Sequence, residues 1–368
     1  MARLKTPVIT LVFWVILCVP PAWAESLGLP PVPTPADNPQ NPEKIALGQK
    51  LFTDKRLSAD GSISCASCHD PENAFTDGLP VAAGLQKQTG TRNTPTLLNV
   101  AFNTSQFWDG RRQRLEDQAP DPFINPIEHG LKDQQAILDL LRQDPDYATR
   151  FKTVFNIDTA QIHMDHVAQA LASFERSLIA ADSPFDRYYY GGQKDALSPA
   201  AINGLHLFQG RAGCQGCHRI EAKDALFTDH DFHALGVGLQ LISANLAQIA
   251  LRAAQAKGQA VDASTLRDDI LTDQATAELG RFNITFKPAD IGRFKTPSLR
   301  NVALTAPYMH DGSIATLEAA IERELYQRGE AAGRPLVLTP LEKAELLAFL
   351  QALTGAGQEQ TGLKNAVP

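Results

Sequence analysis

Cys65-Ala66-Ser67-Cys68-His69 and Cys214-Gln215-Gly216-Cys217-His218 are two copies of one pentad, Cys-x-x-Cys-His. This is the attachment signature of a c-type haem. Two thiols add across the haem vinyl groups, and the adjacent His is placed to ligate the iron from the proximal side. Other uses of paired cysteines fit less well. A zinc site needs no His directly after its second Cys. A thioredoxin-like dithiol occurs once, in a strand–helix context. A disulfide framework suits short secreted chains, not one of 368 residues. Two pentads in one chain therefore predict two covalent haem c groups and a redox function.

The N-terminus reads as a secretory signal. Arg3 and Lys5 precede an apolar run from Ile9 to Val19, too short to span a bilayer comfortably, and Ala22-Trp23-Ala24 is a small-residue cleavage site. Residues 1–24 are expected to be removed, leaving a mature chain that starts at Glu25 and is not membrane-embedded. Cys18 would leave with the signal, and Leu17 before it matches a lipoprotein site poorly. The other four of the five cysteines all sit in the pentads. That usage fits the bacterial periplasm, where c-type haem is attached. A formal charge of −7 does not suggest nucleic acid and is compatible with a basic small redox partner.

The similarity of the two halves extends beyond the pentads. A Gly-x-x-Leu-Phe helix precedes each one, Gly48 to Phe52 and Gly204 to Phe208. A second block follows each, running from Thr94-Pro95-Thr96-Leu97-Leu98-Asn99-Val100-Ala101 to Trp108-Asp109-Gly110, and from Thr296-Pro297-Ser298-Leu299-Arg300-Asn301-Val302-Ala303 to His310-Asp311-Gly312. The spacing within the two blocks is identical. Each half closes on an amphipathic helix, carried by Val167, Leu171, Phe174 and Leu178 and by Leu346, Phe349, Leu350 and Leu353. Thr339-Pro340-x-Glu342 is a capping box with Pro at N1. Strand signals are sparse. The expected fold is all-α: two cytochrome c-like helical domains, related by internal duplication, with one covalent haem each. The boundary is placed at the Gly191-Gly192 turn, giving domains 25–191 and 192–368. The second half carries an insertion at roughly residues 221–290, with a surface helix over 244–259. The Pro-rich stretch 25–41 reads as an extended lead-in.

These residues resemble the bacterial di-haem cytochrome c peroxidase and MauG superfamily over nearly all of the mature chain. The resemblance is carried by both pentads, Arg92-Asn93-Thr94-Pro95-Thr96, Gln106-Phe107-Trp108-Asp109-Gly110-Arg111, Asn125-Pro126-Ile127-Glu128, Leu299-Arg300-Asn301-Val302-Ala303 and Pro307-Tyr308-Met309-His310-Asp311-Gly312. It implies an oxidoreductase in which one haem meets hydrogen peroxide and the other transfers or stores electrons. It implies that Glu128 is the catalytic carboxyl over the first haem, Gln118 the amide that hydrogen-bonds the bound oxygens, and Trp108 a relay between the haems. It also implies a calcium ion held by Asn93 and by the carbonyls of Thr305 and Pro307, and a second-haem contact for His233. The electron donor would be a small cytochrome c or a blue-copper protein. On a MauG-like reading, the partner is instead a protein whose side chains are oxidised.

The repeat offers a test of which haem is open. Pro122 lies seven residues after Leu115, and Glu324 lies seven after Leu317, so equivalent helices would aim both at their haems. Proline has no donor atom, which leaves the first haem with His69 as its only protein ligand. In the peroxidase branch a switch His often follows the first pentad; the matching position here is Gln86, so no reductive activation is expected. Glu324 is the repeat's choice for the sixth ligand of the second haem. Tyr326, in a Tyr-x-Arg-Gly pattern, resembles the ligand of relatives but requires a two-residue bulge. Met309, beside His310, is the third candidate, although its place reads more as packing.

Overall fold

A computed structural model describes residues 26–258, 269–331, 333 and 335–355. The expected signal segment, Cys18 included, lies outside the described residues. The protein is mostly α. Its one described sheet is the two-stranded antiparallel pairing of Phe232–His233 with Phe294–Lys295, in register Phe232 to Lys295 and His233 to Phe294. No described helix is long and apolar enough to cross a membrane.

One helix crossing organises each half. The Pro42–Thr53 helix begins where Asn41 accepts a hydrogen bond from the Lys44 N–H at 2.7 Å, with Pro42 presetting the first turn. Its Leu47, Leu51 and Phe52 are buried against the Met164–Arg176 helix, which contributes Val167, Leu171 and Phe174. The helices meet at Gly48, where a Cβ would run into the Ala170 carbonyl and the Phe174 side chain. The Pro199–Gln209 and Pro340–Gln351 helices cross in the same way. Gly204 lies against the Glu345 carbonyl and Phe349, and the expected Thr339–Glu342 capping box forms. The same aromatic pair closes each crossing, Phe52 with Phe174 and Phe208 with Phe349, both at 5.0 Å between centroids. Each Phe buried in this way contributes about 1.5–3 kcal/mol.

The Asn of each second block fastens its turn to the end of the closing helix. Asn99 and Asn301 both sit in left-handed backbone, at φ 62° and 60°. Asn99 donates its N–H to Leu178 O (2.8 Å) and accepts from the Ala180 N–H (2.9 Å). Asn301 donates to Leu353 O (3.1 Å) and accepts from the Gly355 N–H (2.9 Å). The periodic residues Leu178 and Leu353 thus fall just past their helices yet remain buried.

The packing adds detail to three expectations. Phe185, in the Pro184–Tyr189 helix, packs with Phe208, Phe227 and Phe349, so the second packing unit begins ahead of the Gly191-Gly192 turn. Asp186 of that helix also forms a fully buried two-pronged ion pair with Arg300, both contacts at 2.9 Å. The extended lead-in is fastened to both halves as a strap. Gly28 O accepts from the Ala225 N–H at 3.0 Å, and the Asn38 amide donates to Gln169 O and Glu116. The insertion helix Leu246–Gly258 is not only a surface element. Its Ile249 and Ala253 join Ile242, Leu279 and Phe282 in a small core of their own.

The i to i+7 comparison fails as a matter of helix geometry. Leu317–Ala331 is one continuous helix, but its counterpart stops at Leu115–Gln118 and resumes as a 3₁₀ turn over Asp121–Ile124. Pro120 and Pro122 lack the N–H that an unbroken helix would need.

Ala is usually favoured over Gly inside a helix by roughly 0.5–1 kcal/mol. At Gly48 and Gly204 the sign should reverse, because the clash is with backbone. Gly48→Ala and Gly204→Ala are each expected to cost about 1–3 kcal/mol, read as a lower urea midpoint at unchanged slope. Wild-type midpoints in both variants would remove the crossing from this role.

Candidate functional site

Both pentads are placed for an iron ligand. Cys65–Cys68 forms a single helical turn beginning after Ser64, and Cys214–Gly216 a 3₁₀ turn beginning after Gly213 at φ 67°. His69 Nδ1 lies 3.1 Å from Phe75 O, and His218 Nδ1 lies 2.9 Å from Phe227 O. A carbonyl only accepts, so each Nδ1 carries the proton and each Nε2 keeps its lone pair for a metal. Burial holds both imidazoles below their usual pKa, which favours the neutral ligand form. None of the four pentad cysteines is joined in a disulfide, and burial is the first cause of the raised pKa of each unattached thiol: Cys68 is pushed up to about 12 and Cys214 to about 11.

The second pentad opens onto a cavity of about 380 Å³. Cys214, Cys217 and His218 form one side, and apolar residues including Pro297, Leu299, Ile321, Leu346 and Leu350 line the rest. Paired thiols, an oriented imidazole and an apolar chamber suit a covalently held haem. Glu324 and Met309 both line this cavity. Tyr326 does not. It is 62 % exposed and lies on the outer face of an unbulged helix, so it is displaced as a candidate ligand. Glu324 also approaches Arg328, at 3.8 Å. His233 lines the cavity and bonds Asp229 at 2.8 Å.

In the first half the broken helix creates a different setting. Pro122 O accepts from the N–H groups of Asn125 and His129, each at 3.2 Å, and so anchors the loop that carries Glu128. The Asn125 amide donates to Glu128 Oε1 at 2.6 Å. Burial raises the Glu128 pKa above the ordinary carboxylate value, against the charge of Arg111 and the Asn125 hydrogen bond, while nearby Asp121 raises it further. The charge of Glu128 in turn disfavours the Cys65 and Cys68 thiolates. Gln118 ends the short Leu115–Gln118 helix, half-buried. Gln86 is exposed, and its loop is tied to the Glu128 loop through the Leu85 N–H to Ile127 O at 2.6 Å.

Trp108 and His310 meet where the halves join, and both line the second cavity. The Trp108 Nε1–H donates to Asn93 O at 2.9 Å, the Asn93 N–H donates to His310 O at 2.9 Å, and Trp108 O accepts from the Lys295 N–H at 2.8 Å. His310 stacks on Phe294 at 3.6 Å and bonds the fully buried Glu278 at 2.8 Å. Arg92 stands 3.6 Å from the other Glu278 oxygen. Lys295 is buried with its ammonium on Ser105 O at 2.7 Å, and burial brings its pKa down to about 8. Sequence reading missed Glu278 and Lys295. Glu278 comes from the unrepeated insertion, and Lys295 aligns with the uncharged Asn93, so neither left a signal.

Comparison with known proteins agrees with this arrangement. Residues 42–195 match the sequence profile of the family described as di-haem cytochrome c peroxidase. The cytochrome-c peroxidase IdrP1 of Pseudomonas sp. strain SCT is 37% identical over 89% of this chain and 84% of its own length. The methylamine utilization protein MauG of Methylorubrum extorquens is 35% identical over 88% of this chain and 81% of its own. A crystal structure of a MauG-like protein associated with microbial copper homeostasis superposes with a TM-score of 0.73 at 32% identity, covering 91% of this chain and 96% of that one. The chain belongs to the di-haem cytochrome c peroxidase and MauG family. It is an oxidoreductase of that type, with haem c as its cofactor.

Intact-mass analysis of the purified protein should show two haems retained through denaturation. Replacing Cys214 and Cys217 together by Ser should leave one. A wild-type mass with a single haem would exclude the second site.

Proposed function

We propose that this is a periplasmic enzyme built by internal duplication, each half wrapping one covalent haem, that reduces hydrogen peroxide to water with electrons from a small cytochrome c or blue-copper protein. The observation that carries the reading is the asymmetry between the halves. Where the second half runs an unbroken helix that turns Glu324 into its cavity, the first breaks at Pro120 and Pro122 and presents Glu128 from an anchored loop. A bound haem iron would supply the redox chemistry of O–O cleavage. Glu128 would take the proton from the near peroxide oxygen and return it to the far one. Gln118 would hydrogen-bond the substrate oxygens, and the Asn125 amide would hold Glu128 in place. Trp108, fixed by Asn93 and Lys295, would lie on the electron path from the second haem. His69 and His218 would be the proximal ligands, and Glu324 or Met309 the far-side ligand of the second haem. A calcium ion, if held by Asn93 and the carbonyls of Thr305 and Pro307, would lie near the junction where the Asn93 N–H donates to His310 O. Residues 1–24 would direct export.

Glu128→Gln should lower kcat/KM for peroxide by about 10²–10⁴-fold while leaving both haems attached. Because the carboxylate form must accept the first proton and burial raises its pKa, wild-type kcat/KM should fall on the acid side at a pH above the usual carboxylate range. Undiminished turnover in the variant would refute the role.

One observation favours a MauG-like variant of the reading, in which peroxide drives oxidation of a partner protein's side chains: Gln86, in place of a His, stands in a loop pinned to Ile127. The ferric enzyme should then show one high-spin haem without prior reduction, by electron paramagnetic resonance. Two low-spin signals would exclude a permanently open first haem. Sustained turnover with reduced cytochrome c separates the peroxidase from the MauG-like case.

A further inference from the structure

The Met164–Arg176 helix carries one residue that the reaction described above does not use. Glu175 is 6 % exposed, and its Oε2 is buried with no hydrogen-bond partner among the described residues. The repeat shows where this side chain lies. Gly48 meets Ala170 and Phe174 as Gly204 meets Glu345 and Phe349, so Glu175 occupies the place of Leu350 and Leu171 that of Leu346. Leu346 and Leu350 both line the second haem cavity. The first half therefore sets a carboxyl where the second sets a methyl-bearing side chain. Its charge is the largest electrostatic influence on the Cys65 thiol after burial, ahead of Glu128.

We propose that Glu175 is a proton-accepting group of the first haem site, lying against the covalently held haem where the second half presents Leu350, and taking up one proton from solvent when that haem takes one electron from the donor. The inference rests on the two-haem reading.

Among the described residues, the surrounding charges leave Glu175 Oε2 without a partner. Arg176, the adjacent cation on its own helix, donates to Glu116 at 2.9 Å and to Ala172 O at 3.3 Å. Glu116, from the Leu115–Gln118 helix, also accepts from Asn38 at 2.7 Å and lies 3.5 Å from Arg114. Lys44, on the crossing helix, is bound to Asn38 Oδ1 and Pro39 O, each at 2.8 Å. Cys65 would be consumed in the thioether. An unpaired carboxylate in such a site is costly, so the group is held neutral. Burial pushes its pKa up to about 8, with Arg176 opposing and Glu116 adding. A positive charge gained by the haem on oxidation favours the carboxylate, and its loss on reduction favours the acid. Proton and electron therefore arrive together, which suits a reaction that consumes both in equal number. By linkage the potential of the first haem falls as pH rises through this window, because reduction binds a proton.

The test uses the holoenzyme and two variants. Glu175→Gln keeps the shape, and Glu175→Leu installs the side chain that packs in the other half. Midpoint potentials of both haems are followed by spectroelectrochemistry from about pH 6 to about pH 9, bracketing the pKa of a raised carboxyl. In the wild type the first-haem reduction equilibrium should shift by up to about tenfold per pH unit at the steepest point, the limit for one proton per electron. In both variants that dependence should fall by at least half while the second haem keeps its own. An unchanged slope for the first haem in both variants, each retaining two haems, overturns the assignment. A wild-type protein that carries fewer than two haems overturns the two-haem reading instead.

Discussion

The close approach of two helices at a glycine is the contact on which the rest of each half depends. Only hydrogen at Gly48 and Gly204 lets the backbones touch and the Phe pairs close behind them. Once that crossing is set, the following turn must bring the pentad beside it, and the pentad's His finds a carbonyl at Phe75 or Phe227. Those two phenylalanines reach back to the crossing: Phe75 lies 6.4 Å from Phe52 and Phe227 lies 6.1 Å from Phe208. The pentad imidazole is thereby oriented by the hydrophobic core itself, through one residue that packs with its ring and accepts with its carbonyl.

On this shared frame the halves differ mainly in where charge is buried. The first holds Glu128 and Glu175 near its pentad; the second replaces the latter with Leu350 and turns Glu324 inward. Buried carboxylates are expensive; Asp186 is offset by Arg300, whereas Glu175 Oε2 has no hydrogen-bond partner among the described residues. The junction is built differently again. There Arg92, Glu278 and His310 balance one another, while Phe294 stacks on His310 at 3.6 Å and lies beneath the Arg92 guanidinium at 4.9 Å. Polar satisfaction keeps this cluster rigid, in contrast to the unpaired Glu175.

Most of the frame was legible from sequence because the chain states it twice. Gly48 and Gly204, the aromatic pairs and the Asn turns recur at matched positions, and a repeated residue marks a repeated geometric need. The capping box at Thr339 was equally plain. What could not be read is what the repeat does not contain. The broken helix after Gln118 follows from two prolines whose effect on aim depends on three-dimensional path. Tyr326 fits a pattern, but a straight helix turns it to solvent. Glu278 acts across a long separation from inside an insertion, and Glu175 carries no motif that marks it in the sequence.

The strap over residues 26–41 sets an order of assembly. Gly28 O is received by the Ala225 N–H and by Arg300, a partner 272 residues further along the chain. The Gly28 end of the strap leaves the ribosome early, yet its partners Ala225 and Arg300 are made much later. The first half can complete its crossing alone, but its leading edge stays loose until the second half has formed and the Asp186–Arg300 pair has closed. A chain truncated before Arg300 would carry a built first half with an open seam, and proteolysis should find that seam before it finds either core.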